Sequence, residues 1–259
     1  MIHKRLRTAS SNCLKQWGSN DDFLPRRNWS FLELPTGSRD SSPSGEAMNR
    51  NPRNADILVL ESDWGEDLID TRSTRPFVEG LARALEITAV FRTFHSGRDL
   101  EHWMHQVFLS KRKPRIVYIS THGSGRCLYP SLATRGVNLR AVLASAARGT
   151  RRQDARRGLL LGACEIGNDL ENVLAAAGGR LKWAAGYQVE VPWVESTLTD
   201  VAFLTYMISG RGVTSSNGKR AVRANSRVTR TRSALKAAAW LLDDFGVAEA
   251  LGFRATELR

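Results

Sequence analysis

Apolar positions along the chain alternate between short unbroken runs and helical stripes, and the alternation begins only near Ala55. Ile57-Leu58-Val59-Leu60 is a continuous apolar run, the signature of a strand buried on both faces. Pro76 then opens a pattern in which Phe77, Leu81 and Leu85 recur every four residues, as on one face of a helix with proline in its first turn. Residues 87–94 mix β-branched, aromatic and polar types and read as a second strand. Asp99 is placed to cap a helix whose Leu100, Trp103, Met104, Val107 and Phe108 form one stripe. Residues 115–120 form the next strand, 139–147 a helix, and Leu159-Leu160-Leu161 another strand. A helix over 169–177, closed by Gly178-Gly179, and a strand over 181–185 follow. Ser196 is placed to cap a helix reaching residue 209, and residues 233–242 form a last helix.

Strands alternating with helices at this spacing predict an α/β fold: a mostly parallel central sheet with helices on both faces. In such a sheet the loops at the carboxyl ends of the strands converge, so chemistry is expected there. The patterned region runs over 55–210. Residues 1–54 carry clusters such as Ser41-Ser42-Pro43-Ser44-Gly45 with scattered apolar groups, and read as a poorly ordered basic extension. Met48 stands just before the patterned part and raises the expectation that the native product begins there, which intact mass from the natural source would settle. Residues 211–259 read as a basic connector and a helix packing on the domain.

Composition changes this picture little. With 259 residues, 42% hydrophobic and 25% charged, the chain can bury a core without disulfides or metal. No apolar run reaches a membrane span and no signal-peptide stretch opens the chain, so a cytoplasmic protein is the expectation. Cys13, Cys127 and Cys164 are odd in number and lack C-x-x-C spacing, against both a disulfide framework and a cysteine zinc site. His102 and His105 share a helix face, but no third ligand clearly joins them, so no metal or other cofactor is expected.

The net charge of +12 is unevenly spread: residues 1–54 contribute +4, 55–210 only +2, and 211–259 the remaining +6. From Arg211 to Lys236 eight basic residues occur with no acidic one, but without aromatic residues to stack on bases, so nucleic acid ranks behind a plain connector. Five arginines between Arg148 and Arg157 read first as a solvated loop and second as a self-processing site over 151–157.

Two strand ends carry candidate chemistry. One ends in Ser120-Thr121-His122-Gly123-Ser124-Gly125, the other in Leu161-Gly162-Ala163-Cys164-Glu165. A cysteine attacks as its thiolate, and an imidazole on the adjacent strand can stabilise that thiolate and protonate a leaving amine. A helix start just after Cys164 is expected to lower its thiol pKa. Glycines beside the histidine leave amides free to hold an oxyanion. By comparison Cys127 reads as a small buried hydrophobe.

These residues resemble the caspase-like fold of clan CD cysteine peptidases, a three-layer sandwich in which a strand ending in His-Gly is followed by one ending in Ala-Cys. Ala184-Ala185-Gly186-Tyr187 and Val191-Pro192-Trp193 extend the resemblance toward the bacterial CHAT group. It implies Cys164 as nucleophile, His122 as general acid/base and the amides of Gly123 and Cys164 as oxyanion hole. It also implies a role in bacterial regulated proteolysis or defence, with a protein or peptide substrate and an activating partner. Where caspases place Gln and metacaspases Asp, this chain has Gly162, so cleavage after Asp is not expected. Asp63, Glu61 or Glu190 would then recognise Arg or Lys, while Trp193 fits either core or groove wall. The alternative is a non-catalytic caspase-like module binding an acidic protein or nucleic acid through its basic C-terminal segment.

Overall fold

The computed structural model describes residues 55–64, 72–110, 114–130, 136–151, 157–209, 233–245 and 250–258, and in them each continuous apolar run becomes a strand. In chain order the elements are β1 (Ile57–Glu61), α1 (Arg75–Ala84), β2 (Ala89–Thr93), α2 (Gly97–Leu109) and β3 (Ile116–Ser120). A short hairpin sheet follows, β4 (His122–Ser124), β5 (Cys127–Tyr129) and β6 (Val137–Asn138), leading into α3 (Leu139–Ala147) and β7 (Gly158–Gly162). A 3-10 turn (Ile166–Asp169) precedes α4 (Leu170–Ala176), after which come β8 (Trp183–Tyr187), α5 (Trp193–Ser209), α6 (Ala234–Phe245) and β9 (Phe253–Glu257).

The main sheet has strand order β2-β1-β3-β7-β8-β9. All its pairings are parallel except β8 with β9. Because successive side chains of a strand point to opposite faces, each apolar run feeds two cores. Leu58 and Leu60, Val117 and Ile119, Leu159 and Leu161 join the core under α2, α3 and α4. Ile57 and Val59, Ile116 and Tyr118, and Leu160 join the core under α1, α5 and α6. Leu159, Leu160 and Leu161 are all fully buried, and each contributes about 1.5–3 kcal/mol of transfer free energy. The α/β expectation of a mostly parallel sheet covered on both faces is met.

Several local expectations are corrected. Ser96, not Asp99, caps α2: its hydroxyl accepts from the Asp99 amide, while the Asp99 carboxylate accepts from the His95 amide, a reciprocal capping pair. On α1 the buried positions are Val78 and Ala82, and Phe77 remains 38% exposed, so the core-facing side is rotated from the expected stripe. The helix expected to start at Ser196 begins three residues earlier, at Trp193. The hairpin sheet β4–β6 and the strand β9 were not anticipated. Their segments are too short, or too polar along Phe253–Glu257, to stand out as apolar runs. The N-terminal extension, the basic run of 211–236 up to residue 232, and the expected processing site of 151–157 except for its two end residues lie outside the described residues.

Candidate active site

Register fixes the site. Glu61 pairs with Ser120, and Ser120 with Gly162, so the carboxyl ends of β1, β3 and β7 form one level row. His122 lies two residues past the end of β3 and Cys164 two past the end of β7. The loops stay level because the Ser62 amide donates to the Ser120 carbonyl and the Thr121 amide to the Gly162 carbonyl, while the Ser62 and Thr121 hydroxyls meet at 2.6 Å.

Gly123 shows how closely the two loops approach. A Cβ there would lie 2.4 Å from the Cys164 carbonyl oxygen and 3.0 Å from the Cys164 amide nitrogen. Only glycine admits this contact, and it seats the residue after His122 on the backbone of Cys164. The exposed His122 ring points Nε2 at the Trp64 carbonyl oxygen, 2.6 Å away. A carbonyl only accepts, so Nε2 carries a proton and, in the neutral ring, Nδ1 keeps the lone pair a base requires. The Trp64 indole packs edge-on against the same imidazole at 5.1 Å. It meets Trp193 at 6.5 Å, which in turn meets Phe77 at 6.0 Å.

Cys164 is half-buried, and its sulfur is clasped by one residue: the Val191 amide donates to Sγ at 3.5 Å, and Sγ faces the Val191 carbonyl at 3.8 Å. Burial pushes its thiol pKa up; the Val191 hydrogen bond opposes this, and the charges of Glu190 and Glu165 add to the rise. The expected lowering by a helix start is therefore overturned, since α4 begins only at Leu170, beyond the 3-10 turn.

The remaining predicted residues fall into different positions. The Glu61 carboxylate accepts from the Thr74 amide and hydroxyl (2.7 and 2.9 Å), Ser73 (2.8 Å) and the Trp64 indole (3.3 Å). It is committed to holding Trp64 and the entry to α1 rather than open to a ligand. Asp63 is exposed and faces His95 at 3.4 Å. Glu190 is exposed beside the Val191 clasp. Trp193 forms part of the aromatic wall that reaches His122. Among the described residues no three His, Cys, Asp or Glu side chains gather as metal ligands.

Beneath Gly162 lies a cluster that the sequence did not flag. Asp200 of α5 is buried, with Oδ2 2.7 Å from the Tyr118 hydroxyl and Oδ1 2.8 Å from that of Tyr187. The Tyr187 oxygen is also 2.8 Å from the Ser196 carbonyl. A phenol has one proton, so both Tyr187 contacts are hydrogen bonds only when Asp200 supplies a proton of its own. Burial pushes the Asp200 carboxyl up to about 7, against the pull of the two tyrosine hydrogen bonds, which agrees with that count. A Cβ on Gly162 would stand 2.7 Å from Asp200 Oδ2, so the small residue two before Cys164 is what admits this buried acid. Trp64, Glu165, Val191 and Asp200 are thus site residues that sequence reasoning missed. Two signals were available: Glu165 directly follows Cys164, and Val191 opens the Val191-Pro192-Trp193 turn, whereas nothing marked Trp64 or Asp200.

No protein-family model matches the chain, and no curated protein matches it. Among solved structures it is similar to iotapain, a secreted C11 cysteine protease from Bacteroides thetaiotaomicron, with 10% sequence identity and a TM-score of 0.34. The match covers 52% of this chain and about half, 52%, of that one. A likeness this loose carries no argument about chemistry, which rests on the residues described above. No described helix is long and apolar enough to cross a membrane.

Proposed function

We propose that the chain is a caspase-like cysteine endopeptidase with Cys164 as nucleophile and His122 as general acid/base. The observation that carries the reading is the orientation of His122: Trp64 fixes Nε2 as the donor, leaving Nδ1 as base, on a hairpin seated against Cys164. The thiol proton passes to Nδ1 as Sγ attacks the peptide carbonyl. Nδ1–H then protonates the leaving amine, and water hydrolyses the thioester to regenerate the thiol. The amides of Gly123 and Cys164 serve the oxyanion. No metal or cofactor enters these steps.

A protein or peptide lies along the loop bearing Glu190 and Val191. Exposed Asp63 and Glu190 favour Arg or Lys at the cut site. A peptide-library profile preferring acidic or large apolar residues there overturns that preference. The raised Cys164 thiol fits a resting enzyme awaiting an activating partner, in bacterial regulated proteolysis or defence.

The same raised thiol favours a second reading, a non-catalytic module whose basic C-terminal segment binds an anionic partner. A thiol-directed activity probe separates the two. Labelling of Cys164 that is lost in Cys164→Ala and falls at least tenfold in His122→Ala supports the enzyme, the fall being on the scale of losing a general base. Equal labelling of all three proteins overturns it.

A further inference from the structure

Glu165, the residue after Cys164, adopts φ +63°, the left-handed region that a side chain rarely occupies. Its carboxylate explains what holds it there. Oε2 accepts from the Gly125 amide at 2.5 Å, in the turn that joins β4 to β5, and from the hydroxyl of Ser124, the last residue of β4, at 3.1 Å. Its main chain is held from the other side, the amide donating to the Val189 carbonyl at 3.3 Å and the carbonyl accepting from the Asn168 side chain at 3.2 Å. Arg126, next in the same turn, lies 3.8 Å from the buried Asp169 carboxylate, which also meets Arg140 at 3.2 Å. Three consecutive residues at the tip of the hairpin, Ser124 ending β4 and Gly125 and Arg126 in the turn, thus reach carboxylates within five residues of Cys164.

The need for such a clasp follows from the topology. The hairpin belongs to the small sheet β4-β5-β6, separate from the six-stranded sheet that carries Cys164. His122 stands on one body and Cys164 on the other. Hydrogen bonds to a carboxylate are shorter and stronger than neutral ones, which suits a joint that must fix an angle between two sheets.

We propose that Glu165 is a positioning residue for the dyad: its carboxylate locks the His122 hairpin to the Cys164 turn, and the left-handed backbone is what aims it there. The catalytic consequence rests on the dyad reading above, while the clasp itself stands independently of it. Glu165 also opposes ionisation of the thiol it helps to place, so its two effects on Cys164 have opposite signs.

The experiment compares full-length wild type, Glu165→Ala and Glu165→Gln, with and without His122→Ala, in two measurements. Hydrogen exchange reports the hairpin: residues 123–128 exchange about 10- to 100-fold faster in Glu165→Ala, the scale of losing a charge-assisted bond, and Glu165→Gln recovers most of the protection. Iodoacetamide alkylation of Cys164 against pH reports the dyad. His122→Ala slows it in wild type and in Glu165→Gln but has no further effect in Glu165→Ala, and the Glu165→Gln profile moves to lower pH. A structural loss alone would not produce that pattern. Unchanged exchange in Glu165→Ala overturns the clasp whatever the dyad does. Faster exchange with wild-type alkylation indifferent to His122 upholds the clasp and overturns the dyad.

Discussion

At Gly123 one methyl group separates a seated hairpin from a displaced one. Gly123→Ala places Cβ 2.4 Å from the Cys164 carbonyl oxygen, and backbone on both sides cannot yield cheaply. We expect a stability loss of about 1–3 kcal/mol by thermal melt and, on the proposed dyad, peptidase turnover falling about 100-fold or more. Glu190 acts on the same cysteine through its field. Since its charge raises the thiol pKa, Glu190→Gln lowers it and speeds iodoacetamide alkylation at pH 7 a few-fold, with the pH profile moved to lower pH. A profile unmoved from wild type counts against that field. Residues at this scale were legible where chemistry has a spelling: His122-Gly123 and Ala163-Cys164 stand out in a string. Trp64 accepts the His122 hydrogen bond through a main-chain carbonyl, which any residue possesses, and its indole meets the imidazole only once the chain has folded, so the string does not mark it. Asp200 looks in the sequence like one more polar position on a helix, and only packing reveals that it is buried.

Between elements, Asp200 joins α5 to β3 through Tyr118 and to β8 through Tyr187. The other facing element, β7, presents Gly162, while α5 meets α1 through Trp193 and Phe77 and meets α6 through stacked Tyr206 and Trp240. The folded carboxyl, raised to about 7, holds its proton where the unfolded one, near 3.8, has lost it. Its stabilising contribution is therefore complete below pH about 4 and is lost as pH rises through about 7. Asp200→Asn imitates the protonated acid and escapes this loss. Denaturant titrations should show the variant gaining on wild type by roughly 4 kcal/mol between pH 4 and pH 8, from about three pKa units. A constant difference would rule out the buried proton. Element existence was largely readable because apolar runs and stripes are properties of local sequence. Helix starts were less so: Ser96 and Asp99 are both capping types three residues apart, and only the geometry shows which flanks the helix.

Across the whole molecule the sheet is closed at one side by β9, whose antiparallel pairing escaped sequence reading because Phe253–Glu257 alternates only weakly. Phe253 is its anchor, 2% exposed and edge-on to both Tyr187 and Phe203 at 5.2 Å. Phe253→Ala should cost about 3–5 kcal/mol in thermal or denaturant unfolding. Because Tyr187 leads into the loop that clasps Cys164, alkylation of Cys164 should also change. Destabilisation with alkylation unaltered would show that the strand supports the fold without reaching the site.

That pairing also sets an order in time. Synthesis delivers β1, β3 and β7 in spatial sequence, each able to dock on the strand before it, whereas β8 keeps an open flank until residues 253–257 have left the ribosome. The loop holding Val191 against the cysteine is thus among the last parts of the molecule to gain its full support, and a nascent chain carries its candidate nucleophile before it carries the frame that holds it.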